Sequence, residues 1–142
     1  MTMVEALTEG ARQARNMKYA HDTLRAMREV GDFWPWMTPD EMRRERQGLC
    51  RDLAIYAIDT AIRLAERGTF ALVIGDTDDP DTAPDHAWCE VALGAEAWWA
   101  DPTNTDAVHR PGWFSRLTPQ RVYVAALDGQ GKLAFVRRED AA

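Results

Sequence analysis

The apolar positions of this chain follow two periods, and the change falls near Gly68. Before it the period is helical. Met3, Leu7, Ala14, Met17, Leu24 and Met27 recur in steps that fit one helix face, with Ala11 and Ala20 filling in, and predict helix over about the first 30 residues. Gly10 marks a point where that helix divides, and Gly31 a stop. Asp32 to Pro39 reads as an aromatic loop broken by proline. Thr38 then caps a short helix with Pro39 at its first position and Glu41 completing a capping box, running to about Gln47, where Gly48 breaks it. The next helix is predicted from Cys50 to Gly68, the latter a C-terminal glycine. Leu53, Ala54, Ala57, Ile58, Ala61, Ile62 and Ala65 give it one wide apolar face. Its many alanines let neighbours approach closely, so it is expected to be the central buried helix.

After Gly68 the pattern is that of strands. Thr69–Gly75 is a buried strand, and Asp76–Asp85 an acidic loop holding two prolines. Ala87–Leu93 and Ala97–Ala100 form a hairpin around Gly94–Glu96. Arg121–Leu127 and Lys132–Arg137 form a second around Asp128-Gly129-Gln130-Gly131. Helices first and an antiparallel sheet after predict an α+β fold. One domain is expected over residues 1–142, helical to about 68 and sheet from about 69 to 138.

Composition narrows the function classes. Apolar residues are 46% and charged residues 28% of the 142, as in soluble globular proteins. No apolar stretch approaches the ~20 residues of a membrane span. Met1–Asn16 has no apolar signal core, so the expected location is cytoplasmic, including incorporation into a larger particle made there. A net charge of −6 argues against nucleic-acid binding, and Arg43, Arg44, Arg46 and Arg51 read as a local cluster. Two cysteines exclude a disulfide framework and a four-cysteine zinc site. No cofactor and no metal are expected.

Three residues carry candidate chemistry. Cys50 stands at the start of the long helix, where unpaired N–H groups and partial positive charge favour a thiolate and can hold an oxyanion. His86 opens a strand on whose other face Cys89 lies, so Cys89 is expected in the core. Asp101 ends the adjoining strand, where a carboxylate can hold a histidine tautomer. Each residue alone reads more readily as structural: a buried small side chain, a satisfied histidine, a turn aspartate before Pro102.

Their surroundings reverse that judgement. Gly48-Leu49-Cys50-Arg51-Asp52-Leu53-Ala54 resembles the G-x-C-x-D-x-A nucleophile helix of the transglutaminase-like superfamily. His86-Ala87-Trp88-Cys89-Glu90-Val91 is similar to its H-A-W-x-E-V strand, and Trp98-Trp99-Ala100-Asp101-Pro102-Thr103-Asn104 to its W-x-x-D-P-T-N segment. Order and separations agree as well, 36 positions and then 15. The resemblance covers about Trp34 to Asn104. It implies a papain-like core in which Cys50 is nucleophile, His86 base and then acid, and Asp101 the orienter. It also implies an acyl-enzyme resolved by water or by an amine.

Related bacterial cysteine peptidases typically read D-C-E-D around the nucleophile, and in some the acidic residues help bind calcium. Here Leu49 and Arg51 stand in the flanking places and only Asp52 remains, so a calcium site of that kind is not expected. Gln47, Trp34, Trp36 and Trp88 are candidates for the oxyanion site or a substrate groove. Asp52 suits a helix start. Asp76, Asp78, Asp79, Asp81 and Asp85 are expected in a solvated loop, a candidate flap beside His86, rather than around a cation. The expected function is thiol-dependent hydrolysis of a peptide or protein amide. The alternatives are a structural or interaction module in an assembly with protein partners, and acyl transfer to an amine.

Overall fold

The computed structural model describes residues 1–19, 38–77, 86–105 and 107–138, with Lys18 and Tyr19 described by backbone alone. The expected Asp32–Pro39 loop, with Trp34 and Trp36, lies outside the described residues up to Met37, as do Asp78–Asp85. The elements are helix α1 (Met3–Arg15), strand β1 (Lys18–Tyr19), helix α2 (Pro39–Glu45), strand β2 (Gln47–Gly48) and helix α3 (Cys50–Leu64). Strands β3 (Thr69–Asp76), β4 (His86–Leu93), β5 (Glu96–Ala100), β6 (Val108–His109), β7 (Thr118–Leu127) and β8 (Leu133–Arg137) follow. The last six form one antiparallel sheet in the order β6-β5-β4-β3-β7-β8, and β1 pairs with β2 in parallel. The fold is α+β, as the pattern predicts.

Local chemistry explains most element boundaries. Thr38 and Glu41 form the predicted capping box, each side chain accepting from the other's backbone N–H. Thr2 and Glu5 do the same for α1. Three boundaries differ from the sequence reading. The first helix ends at Arg15, because Lys18 and Tyr19 turn to pair with Gln47 and Gly48, and the rest of the expected helix, with Leu24, Met27 and the stop at Gly31, lies outside the described residues. The second ends at Glu45, with Arg46 in the left-handed region at φ 56°, so that Gln47 lies in a strand. The third ends at Leu64 rather than Gly68, because Ala65 is extended and the Glu66 N–H donates to the Met1 carbonyl at 3.2 Å. Strand β6 and the 3₁₀ turn Pro111–Trp113 lie between the two hairpins.

The sheet separates two apolar layers. On one face Phe70, Leu72, Ile74, Ala87, Cys89, Val91 and Ala100 meet α3 and α1. On the other, Val73, Trp88, Trp99 and Phe114 form a smaller cluster under Leu117 and Val122. An ion-pair network ties the helical layer to the far hairpin. Buried Asp59 accepts from Arg43 at 3.1 Å and from Arg63 at 2.9 Å, and Arg63 also reaches the Gly131 carbonyl at 2.8 Å. Removing Asp59 would leave both guanidinium groups without their buried partner.

Gly10 does not divide α1. It is the point where α1 lies directly on α3: a Cβ there would sit 2.2 Å from the Ala57 carbonyl oxygen. Alanine at position 10 gains at most ~1 kcal/mol of helix propensity. The clash is with backbone and cannot be relieved by a rotamer change, so overpacking dominates. We expect Gly10→Ala to lower unfolding free energy by about 1–3 kcal/mol in urea denaturation. Unchanged or raised stability would contradict this packing.

Candidate active site

Cys50 is the first residue of α3, and Leu49 stands at the N-cap. Leucine has no acceptor to offer the first-turn N–H groups, where Ser, Thr, Asp or Asn would occupy one of them. Asp52 instead reaches back, its Oδ2 accepting from the Leu49 N–H at 2.9 Å. That single bond sets the chain's entry into the helix. Arg51 lies beside it, with its Nε 4.0 Å from Asp52 Oδ1.

His86 and Asp101 come from neighbouring strands. The β4–β5 register pairs Cys89 with Ala100 and Glu90 with Trp99. Continued by one step, it sets Trp88 opposite Asp101, so Asp101 shares the sheet face of His86, Trp88 and Glu90. His86 Nε2 meets Asp101 Oδ2 at 2.9 Å. Cys50 lies near enough to the same imidazole to help raise its pKa. With Nε2 on the carboxylate, Nδ1 is the nitrogen left for the sulfur. The structure therefore brings Cys50, His86 and Asp101 together, in the order cysteine, imidazole, carboxylate.

All three are buried: 3% exposed for Cys50, 7% for His86 and 3% for Asp101. Burial alone pushes the His86 pKa down. The hydrogen bond to Asp101 and the contact with Cys50 outweigh it and raise the pKa from 6.5 to about 10. The imidazole is thus held as a cation at neutral pH. Trp88 packs on its ring, with centroids 5.9 Å apart and planes 28° from parallel. Trp99, behind Trp88, is fixed by its indole N–H donating to Glu90 Oε2 at 2.9 Å.

The remaining sequence candidates divide. Trp88 is wholly buried, so it backs His86 rather than lining an open groove. Gln47 is half-buried in β2 and has no hydrogen bond to the three residues among those described. Trp34 and Trp36 lie outside the described residues. Cys89 is in the core as expected, its thiol donating to the Ala54 carbonyl at 3.3 Å and its pKa pushed well up by burial. Asp76 corrects an expectation. It is not in a solvated loop but is fully buried at the end of β3, accepting from the Gln120 amide. No cluster of side chains suited to a metal ion occurs among the described residues.

One polar contact escaped the sequence reading. Asn104 Nδ2 donates to Asp101 Oδ2 at 2.8 Å. The i,i+3 spacing after a proline turn could have signalled it. A cleft of about 270 Å³ opens beside this pair, with Trp113, Phe114 and Arg116 on its walls. A larger cavity, about 620 Å³, lies by Arg43, Asp59 and Arg63 and is not lined by Cys50, His86 or Asp101.

No protein-family model and no curated protein matches the chain. Among solved structures it is similar to LapG of Legionella pneumophila, with a TM-score of 0.66 and 17% identity over 94% of this chain and 69% of that one. The fold is transglutaminase-like. In this chain Cys50 is the first residue of α3, His86 the first of β4, and Asp101 follows the last residue of β5.

A pH dependence follows from His86. Its folded-state pKa lies above its ordinary value, so its contribution to stability is complete below pH 6.5 and is lost as pH rises through about 10. Unfolding free energy should therefore fall across that window, and Asp101→Asn should flatten the fall. Urea titrations at a series of pH values check this, and a flat wild-type profile would contradict it.

Proposed function

We propose that the protein is a thiol-dependent amidohydrolase, a transglutaminase-like cysteine peptidase that acts on a peptide or protein substrate through an acyl-enzyme on Cys50. The observation that carries the reading is the bond of His86 Nε2 to Asp101 Oδ2 at 2.9 Å between buried side chains, with Cys50 near enough to the imidazole to help raise its pKa. The transglutaminase-like fold, which this chain shares with LapG, agrees with the reading.

The chemistry follows from the contacts. Cys50 Sγ attacks the amide carbonyl carbon as a thiolate while the proton resides on His86. The oxyanion is met by N–H groups at the start of α3, where Leu49 supplies no competing side-chain acceptor. The C–N bond breaks as His86 delivers its proton to the leaving amine, giving a thioester. Water then attacks the thioester with His86 as base, releasing the acid and returning the proton. Asp101 holds the imidazole oriented throughout and does not itself transfer a proton.

A second reading, an interaction module that keeps the fold without turnover, is favoured by one observation: Cys50 is only 3% exposed. Reactivity separates the two. At neutral pH iodoacetamide should label Cys50 at least about tenfold faster than Cys89, and His86→Ala should remove most of that advantage. Equal rates for the two cysteines, or no effect of His86→Ala, would sink the enzymatic reading.

A further inference from the structure

We propose that Asn104 is a positioning residue of this site: its amide fixes which oxygen of Asp101 meets His86. The proposal rests on the catalytic reading for its functional meaning, but its contact is measurable without it.

Asp101 Oδ2 accepts two N–H groups, from His86 Nε2 at 2.9 Å and from Asn104 Nδ2 at 2.8 Å. Oδ1 is buried and has no hydrogen-bond partner among the described residues. A carboxylate engaged so unequally is held in one rotation about its Cβ–Cγ bond. With His86 as sole donor, either oxygen would serve, and the imidazole would follow the carboxylate as it turned. A second donor on the same oxygen, anchored elsewhere, removes that freedom.

Asn104 is anchored independently of His86. The Asp101 carbonyl accepts from the N–H groups of Asn104 at 3.0 Å and Thr105 at 2.8 Å, closing a tight turn over Pro102. That turn folds residue 104 back over the side chain of residue 101. The chemistry also selects the residue type. Only the amide nitrogen can donate to a carboxylate, so the orientation of the Asn104 side chain is forced. Asn104 is itself exposed, so truncating it opens no core cavity. The ionisable groups facing His86 among the described residues are Cys50 and Asp101, with Trp88 stacked on the ring.

The test uses the full chain with Asn104→Ala and Asn104→Asp, each checked for wild-type folding by circular dichroism. The first readout is the titration of the His86 imidazole by ¹⁵N NMR, which a residue that merely shapes the turn would not move. Asn104→Ala should lower the His86 pKa by about one unit or more and slow Cys50 alkylation about tenfold. Asn104→Asp places two carboxyl groups at a separation where one proton is shared. The shared proton lets residue 104 donate at low pH. Alkylation should therefore approach the wild-type rate there and fall away as that proton is lost, an ionisation the wild type lacks. A His86 titration unmoved by Asn104→Ala overturns the proposal. If instead wild-type Cys50 proves no more reactive than Cys89, the catalytic reading fails while the NMR titration still decides the role of Asn104.

Discussion

The carboxylate of Asp101 is 3% exposed, and that burial constrains everything around it. A carboxylate removed from water at this depth costs several kcal/mol unless cations and donors meet it. The meeting groups here are His86 from the adjoining strand and Asn104 from the turn that follows. Meeting Oδ2 of Asp101 in this way fixes the imidazole, which lies near Cys50. The β4–β5 register and the position of α3 must therefore agree, or a buried charge is stranded.

The scaffold meets that demand with small residues and one tightly specified sheet. α3 presents Ala54, Ala57 and Ala61 to its neighbours, and α1 approaches it at Gly10. Close packing on both sides leaves the helix no freedom to slide, so its first residue stays at the sheet's end. On the opposite face Trp88 stacks on the histidine, and Trp99 and Phe114 pack in turn behind it. The bond to Asp101 and the nearness of Cys50 outweigh the burial and raise the imidazole's pKa.

Much of this was legible in the residues. The Thr38 and Glu41 capping box, the two hairpins and the inward face of Cys89 follow from short-range rules that tertiary structure had no reason to override. The three chemical residues were legible only as a set, because each has an ordinary structural explanation. Other features depend on contacts between distant segments. Gly10 reads as a helix breaker until Ala57 is seen against it. α3 stops at Leu64 because Glu66 bonds Met1, which no local signal near Gly68 encodes. Asp76 reads as solvated because its neighbours are acidic, yet the strand continues through it and buries it. Trp88 has the composition of a groove residue and the burial of a core one.

The central claim is that Cys50 carries an acyl group as a covalent intermediate and that His86 resolves it. The most direct measurement is intact-protein mass spectrometry after mixing the full chain with an activated peptide ester. The account predicts a single acyl adduct on Cys50 that decays in water, is absent in Cys50→Ser, and persists when formed on His86→Ala. An adduct on Cys89, an adduct that His86→Ala clears as fast as wild type, or no adduct at all would contradict it.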